Sequence, residues 1–410
     1  MDIESWSPGS WRGQRKIQHP DWSALGGLEQ TQKALSGLPP LILAGEARRL
    51  RDALGNAALG RAFLLQVGHY GESSTDWSAN AIRDQLKIIS QMAAVLAYGS
   101  GVPVVKVASM PGARRPDPEC SLAAYYQSAS TLNLLRAFTA GGFASLSRAH
   151  SWNREFAASP VGRRHRSIVH EMDWALRLMS ACGIDLSTEP SLRQAQLWTS
   201  HEALLLPWEE GLTRRDSATR GWFDCSAHLL WVDERSSHPD GAHVEFLRGV
   251  RNPVAAKLGP TITAAELVAL CGALNPDRVP GRLTLICQMG AERVVSVLPP
   301  LLMAARAAGQ PAVWVCDPIH GNRPRSGEQD EGQRLDDLLA EIRGFLAAHA
   351  DAGTWPGGVY LPLTGYHPMD RPDRAALDRT RRFTKVDDPG LSPGQALELA
   401  FRLAELLREL

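Results

Sequence analysis

The chain has 410 residues, with 44 Lys plus Arg against 44 Asp plus Glu. That length accommodates one large α/β domain or two ordinary ones, and the balanced charge argues against nucleic acid or an anionic membrane as partner. Its six cysteines, Cys120, Cys182, Cys225, Cys271, Cys287 and Cys316, include no CxxC pair, which argues against a disulfide scaffold or zinc knuckle and for a reducing, cytoplasmic setting. No apolar run reaches the ~18 residues of a membrane span, and the N-terminal stretch lacks the apolar core of a secretory signal.

An N-terminal arm, to about residue 60, carries two helical patterns, Leu28–Leu38 and Ala44–Leu59. Beyond it, short apolar, β-rich runs recur, each ended by Gly, Pro or a polar residue. They are Phe63–Gly68, Val102–Ala108, Gln196–His201, His228–Arg235, Pro253–Gly259, Arg282–Gln288, Ala312–Asp317 and Gly358–Thr364. Between most of them, as in Ala79–Leu96, Thr263–Leu274, Ala291–Ala308 and Leu335–Ala348, apolar residues fall at i, i+3, i+4 spacing, which predicts helices. Parallel strands need helical crossovers and eight strands can close, so the repeat predicts a (β/α)8 TIM barrel over residues 61–410. The second and third strands are unusually far apart. Leu122–Gly141 and Arg163–Cys182 read as helices there, which predicts a helical insertion at about 117–190, suited to a lid or an oligomer interface. Gly321–Gly332 and Tyr366–Asp378 carry little apolar periodicity and read as surface loops.

Barrel chemistry sits at the C-terminal ends of the strands. The polar residues expected there are His69, Tyr70 and Glu72; Lys106 and Ser109; His201 and Glu202; Glu234 and Arg235; Lys257; Gln288; Asp317 and His320; and Thr364, Tyr366 and His367. Ionisable groups beside apolar strands are costly unless paired or used. Lys257 therefore reads as an anion contact, with an ion pair to Glu234 as the structural alternative. Arg235 offers a fork suited to carboxylate or phosphate. His201 beside Glu202 reads either as a ligand or acid/base pair or as a histidine hydrogen-bonded within the core. Asp240–His243 reads as a loop-to-helix junction, and Pro311–Asn322 as a buried strand entering a polar turn. The residues alone point to a barrel enzyme acting on an anionic small molecule.

Several segments, in order along nearly the whole chain, resemble the type II 3-deoxy-D-arabino-heptulosonate 7-phosphate (DAHP) synthases. They include Trp11-Arg12 with Gln18-His19-Pro20, Phe63-Leu64-Leu65-Gln66, Val104 to Ala108, Thr131 to Leu134, Ser151 to Phe156, Ser200-His201-Glu202, Trp231 to Arg235, Asn252-Pro253-Val254 with Lys257 to Pro260, Cys316 to Asn322, and Asp388-Pro389. The resemblance implies a barrel and an aldol-like condensation. In it C3 of phosphoenolpyruvate attacks the aldehyde of erythrose 4-phosphate, water attacks C2, and a divalent metal (manganese, cobalt or zinc) polarises the aldehyde. It also implies a metal held by a Cys after strand one, a His in the CDPxHGN turn, a Glu ending strand eight and a later Asp. His320 and Asp388 match the second and fourth. Tyr70 stands at the thiolate position and Pro362 at the Glu position.

Glu234, Arg235 and Lys257 match the family's phosphoenolpyruvate contacts, whereas Ser109 and Gln288 stand where the family has Arg. The sugar-phosphate loop is reduced to Gly112–Pro116, with Arg114 and Arg115. These exchanges lead to the expectation of an enzyme repurposed for a different reaction on an anionic small molecule in specialised metabolism. Glu234, Lys257, His320 and Tyr70 are then the expected catalytic residues, and Arg235, Arg114, Arg115, Gln288, Ser109 and Lys106 the substrate contacts. Metal retention through His320 and Asp388 is doubtful on this reading, and the family's habit of assembling predicts a homodimer or larger oligomer. A catalytically silent binding or regulatory homologue, and a genuine DAHP synthase, are the alternatives.

Overall fold

A computed structural model describes residues 6–15, 28–68, 78–110, 112–113, 118–186, 188–322, 331–363 and 390–409. Its strands are β1 (Phe63–Gly68), β2 (Val104–Ser109), β3 (Trp198–Glu202), β4 (Thr213–Arg215), β5 (Trp222–Asp224), β6 (Leu229–Val232), β7 (Val254–Leu258), β8 (Leu283–Cys287), β9 (Val313–Cys316) and β10 (Gly358–Pro362). The order β1-β10-β9-β8-β7-β6-β3-β2 closes into an eight-stranded barrel, with every neighbouring pair parallel. Every strand expected from the sequence is present, which is the predicted TIM barrel. The β4–β5 hairpin lies outside the barrel; three-residue strands carry too little periodicity to be read from sequence.

Alternation along the strands divides two cores. Leu64, Val105, Val107, Trp198, Leu229, Ala255, Ile286, Val313, Val315 and Tyr360 pack together inside the barrel. Leu65, Val67, Ala108, Leu230, Val232, Ala256, Leu258, Leu285 and Leu361 belong to the outer core beneath the helices. Those helices include α1 (Leu28–Gly37), α2 (Ala44–Ala58) and α3 (Ala79–Ser100). Then come α4 (Pro118–Ala140), α5 (Leu146–Ala158), α6 (Arg166–Ala181) and α7 (Pro190–Arg193), which form the helical insertion between β2 and β3. The remainder are α8 (Leu206–Leu212), α9 (Ala242–Gly249), α10 (Ala264–Leu274), α11 (Val294–Ala307), α12 (Pro318–Gly321), α13 (Glu331–Ala352) and α14 (Pro393–Leu407).

The helical pattern at Ala44–Leu59, read as part of an arm, is the floor of the barrel: Leu50, Leu54 and Ala57 of α2 join the interior cluster. The approach is close. A Cβ on Gly281, whose φ is +78°, would lie 2.0 Å from the Arg51 carbonyl oxygen. At the same end the buried Arg282 donates to the carbonyls of Leu247, Asn252 and Leu274, so one guanidinium satisfies acceptors near the ends of α9 and α10. Burial there lowers its pKa to about 9. With the bottom sealed, the other end of the barrel is the one open to a substrate.

Candidate active site

At the C-terminal end of β6 the chain turns through a 3-10 segment, Glu234–Ser236, begun by Asp233, whose carboxylate accepts the Arg235 N–H. The turn sends Glu234 across the top of β7. A Cβ on Gly259 would lie 1.8 Å from Glu234 Oε1, so a side chain there would displace that carboxylate from its place over β7. From the end of β8, Gln288 Nε2 donates to Glu234 Oε2 at 3.0 Å. These contacts join β6, β7 and β8 at one rim.

Next to this pair lies a buried ionic cluster. Lys257 near the end of β7 places Nζ 3.1 Å from Asp317 Oδ2, with the two side chains 3% and 0% exposed. Asp317 begins α12, accepting the His320 N–H at 3.1 Å, while His320 Nδ1 lies 2.9 and 2.7 Å from its two oxygens. Burial would raise the Asp317 carboxyl, but the Lys257 ammonium and His320 beside it more than offset this and hold it below its ordinary value. The ammonium also lies 4.9 Å from the ring centres of both Trp231 and Tyr360, and Tyr360 stacks on His320 at 6.0 Å. A cation is thus fixed by one carboxylate and two aromatic faces inside the mouth.

Glu234, Lys257, Gln288 and His320 are therefore brought together, as the sequence indicated. The structural alternative for Lys257 is corrected in its partner, which is Asp317 and not Glu234; turn geometry, invisible in sequence, makes that choice. Ser109 also faces the interior, 3.4 Å from Ser200 Oγ, which accepts from Gln66 Nε2 at 3.2 Å. Arg235 lies on the rim with its side chain 69% exposed and its Nε 2.9 Å from Asp233.

Lys106 requires a correction. It shares its strand face with Ala108 of the outer core, while Val105 and Val107 fill the barrel, so it turns away from the mouth. Burial among the outer layer lowers its pKa to about 8. Parity could have revealed this, because 106 and 109 cannot face the same side of one regular strand. His201 likewise lies outside the barrel wall, where its Nε2 meets Glu209 at 3.0 Å. Of the two readings of His201, the core histidine is the one realised. Tyr70, Arg114, Arg115 and Asp388 lie outside the described residues, as do His69, Glu72, Thr364, Tyr366, His367 and most of the loops expected at 321–332 and 366–378.

Sequence reasoning did not single out Tyr360 or Trp231 as walls of the site, nor Glu341 of α13 behind it. The inward parity of the first two was the available signal. Of the metal donors implied by resemblance, His320 stands in the site, while β10 ends at Pro362, adjacent in register to Gly68, and proline offers no side-chain ligand; the Tyr70 and Asp388 positions lie outside the described residues. Among the described residues no group of three or more His, Cys, Asp or Glu is arranged to hold a metal ion.

The Class-II DAHP synthetase family matches residues 6–113 and 110–404 of this chain. The chain is 38% identical over 439 aligned residues to phospho-2-dehydro-3-deoxyheptonate aldolase of Streptomyces coelicolor, covering 98% of this chain and 97% of that protein. It is 36% identical to the protein of the same name from Mycolicibacterium smegmatis, covering 96% and 93%. Among solved structures it is similar to a truncated DAHP synthase from Thermotoga maritima, at 12% identity and a TM-score of 0.40, covering 84% of this chain and 87% of that one. The expectation of a repurposed enzyme is overturned by the curated relatives, which carry the aldolase name at 36–38% identity along nearly the full chain. Counting exchanged residues gave too much weight to single positions and too little to the retained whole.

Proposed function

The chain belongs to the class-II DAHP synthetase family, and from that membership we propose that it is an enzyme condensing phosphoenolpyruvate with erythrose 4-phosphate to give DAHP and phosphate. The observation that carries this reading is the 38% identity, over 98% of the chain, to a protein named for that activity. The site supports it. Lys257, held by Asp317 and the faces of Trp231 and Tyr360, anchors the anionic enol phosphate at the mouth. With the anion in place, C3 of the enol is directed at the aldehyde carbon. His320, oriented by Asp317, delivers a proton to the aldehyde oxygen as the new carbon–carbon bond forms. Glu234, steadied by Gln288, takes a proton from the water that adds to C2, and collapse of that adduct expels phosphate. The balance is one phosphoenolpyruvate, one erythrose 4-phosphate and one water in, one DAHP and one phosphate out.

The test is direct assay of purified protein with both substrates, with and without added manganese, alongside measurement of its metal content. One DAHP and one phosphate are expected per phosphoenolpyruvate consumed, the product being identified by mass spectrometry. Phosphate release without a heptulosonate product, or no consumption of phosphoenolpyruvate in either condition, overturns the reading.

A further inference from the structure

Glu341 of α13 is fully buried and reaches the two loops that carry Gln288 and His320. Its Oε1 accepts the backbone N–H groups of Met289 and Gly290, both at 2.9 Å. Its Oε2 accepts Asn322 Nδ2 at 2.6 Å. Asn322 continues the link: Oδ1 accepts the Ala291 N–H at 3.0 Å, and Nδ2 also donates to the Pro318 carbonyl at 2.8 Å. The packing leaves no slack. A Cβ on Gly321 would lie 2.4 Å from Glu341 Oε2, and one on Gly290, whose φ is +83°, would lie 2.9 Å from the Gly321 carbonyl oxygen.

One carboxylate and one amide thus bind the segment after β8 to the turn after β9, immediately beside Gln288 and His320. No barrel strand takes part in these bonds. Removing the carboxylate, itself fully buried, would leave three donors without their acceptor.

We propose that Glu341, acting through Asn322, is a positioning residue for the condensation, holding His320 and the Gln288–Glu234 pair at their working separation across the mouth. The inference rests on the proposed function for its catalytic consequence, though not for the geometry. Lys257 stands on β7 between the faces of Trp231 and Tyr360, and its partner Asp317 is pinned to the end of β8 by its own N–H to the Cys287 carbonyl, so anchoring of phosphoenolpyruvate depends less on this tie than the placing of His320 does. The tie therefore acts on turnover more than on substrate capture.

Asn322→Ala cuts the link while leaving Glu341 its two backbone donors. A sub-ångström loosening of His320 lowers kcat by about 10- to 100-fold, with KM for phosphoenolpyruvate changed less than about threefold. Glu341→Gln sets an amide donor against Asn322 Nδ2 and lowers kcat at least as far. Amide exchange at residues 289–291 and the ring resonances of His320 follow the tie without turnover. Asn322→Ala accelerates that exchange by more than about tenfold and shifts the His320 signals. Unmoved exchange and unmoved His320 signals overturn the inference whatever the wild type makes, and so does a kcat lowered only in proportion to lost folded protein. A wild type that makes no DAHP while these signals respond as expected overturns the functional reading alone.

Discussion

The mouth of the barrel and the outer flank of β3 each bury a histidine against carboxylates, and they differ in which side of the barrel wall they occupy. At the mouth, Asp317 meets Lys257 and His320, so its negative charge is balanced and its carboxyl is held below its ordinary pKa. On the flank, His201 Nε2 and Ser226 Oγ both reach Glu209, and Asp224 accepts the Ser226 N–H. Trp208 meets the His201 ring edge-on, and no Lys or Arg is ion-paired within this group among the described residues. Burial raises Glu209 to about 8 and lowers His201 to about 4, and burial with Glu209 alongside pushes Asp224 well above its ordinary value. The flank minimises charge by keeping its proton; the mouth keeps its charges and pairs them. A perturbed pKa accordingly reports burial on the flank and charge pairing at the mouth, and the strand face distinguishes machinery from core.

The comparison is broken most severely at Lys257. Lys257→Met leaves the buried Asp317 with His320 alone beside it, expected to cost about 3 kcal/mol of stability and at least ~1,000-fold in kcat/KM. Urea unfolding and steady-state kinetics read the two effects, and a variant within tenfold of wild-type activity would remove Lys257 from the mechanism.

The flank responds to pH instead. Since the folded Glu209 carboxyl titrates at about 8 and an unfolded one near 4.5, the folded state binds the extra proton between those values. Stability is therefore greatest toward the acidic end and falls as pH rises through 8. Above about pH 7 His201 is neutral in both states, and Glu209 contributes about 1 kcal/mol per pH unit to the slope there. Glu209→Gln is expected to flatten that slope in unfolding curves at pH 7 and 8, with kcat within about threefold of wild type. A slope left intact, or a large loss of kcat, would place the flank cluster differently.

Lys106 gives the smallest effect and the sharpest contrast with Lys257, as another lysine on a barrel strand. Its folded pKa, lowered to about 8, means the ammonium costs stability at neutral pH and the cost fades as pH rises past 8. Lys106→Met is expected to stabilise the protein by roughly 1–2 kcal/mol at pH 7, discounted for its partial exposure, and to leave KM for phosphoenolpyruvate unchanged. A raised KM would turn Lys106 back toward the substrate.

Much of this was legible before any coordinates. The eight strands were readable because each pairs an apolar β-rich run with a polar stop. The CDPIHGN turn and Lys257 stood out because charge beside apolar strands is costly. The reading failed where the answer depended on separations across the sequence. Asp317 and Glu234 are both plausible partners of Lys257 by composition, and only the β6 turn over Gly259 directs Glu234 to Gln288. Glu341 gave no signal, being one acid in a charged helix whose buried face was unknown. The helix Ala44–Ala58 gave its periodicity but not its destination beneath the barrel.

The sequence by itself determined the elements, their order and the family, because periodicity, turn residues and motif order are properties of neighbouring residues. The tertiary structure decided which charges are partners, which lysine faces the mouth and which carboxylate ties its loops. Those are matters of distance and dielectric between residues the chain holds far apart, and they exist only once the barrel has closed.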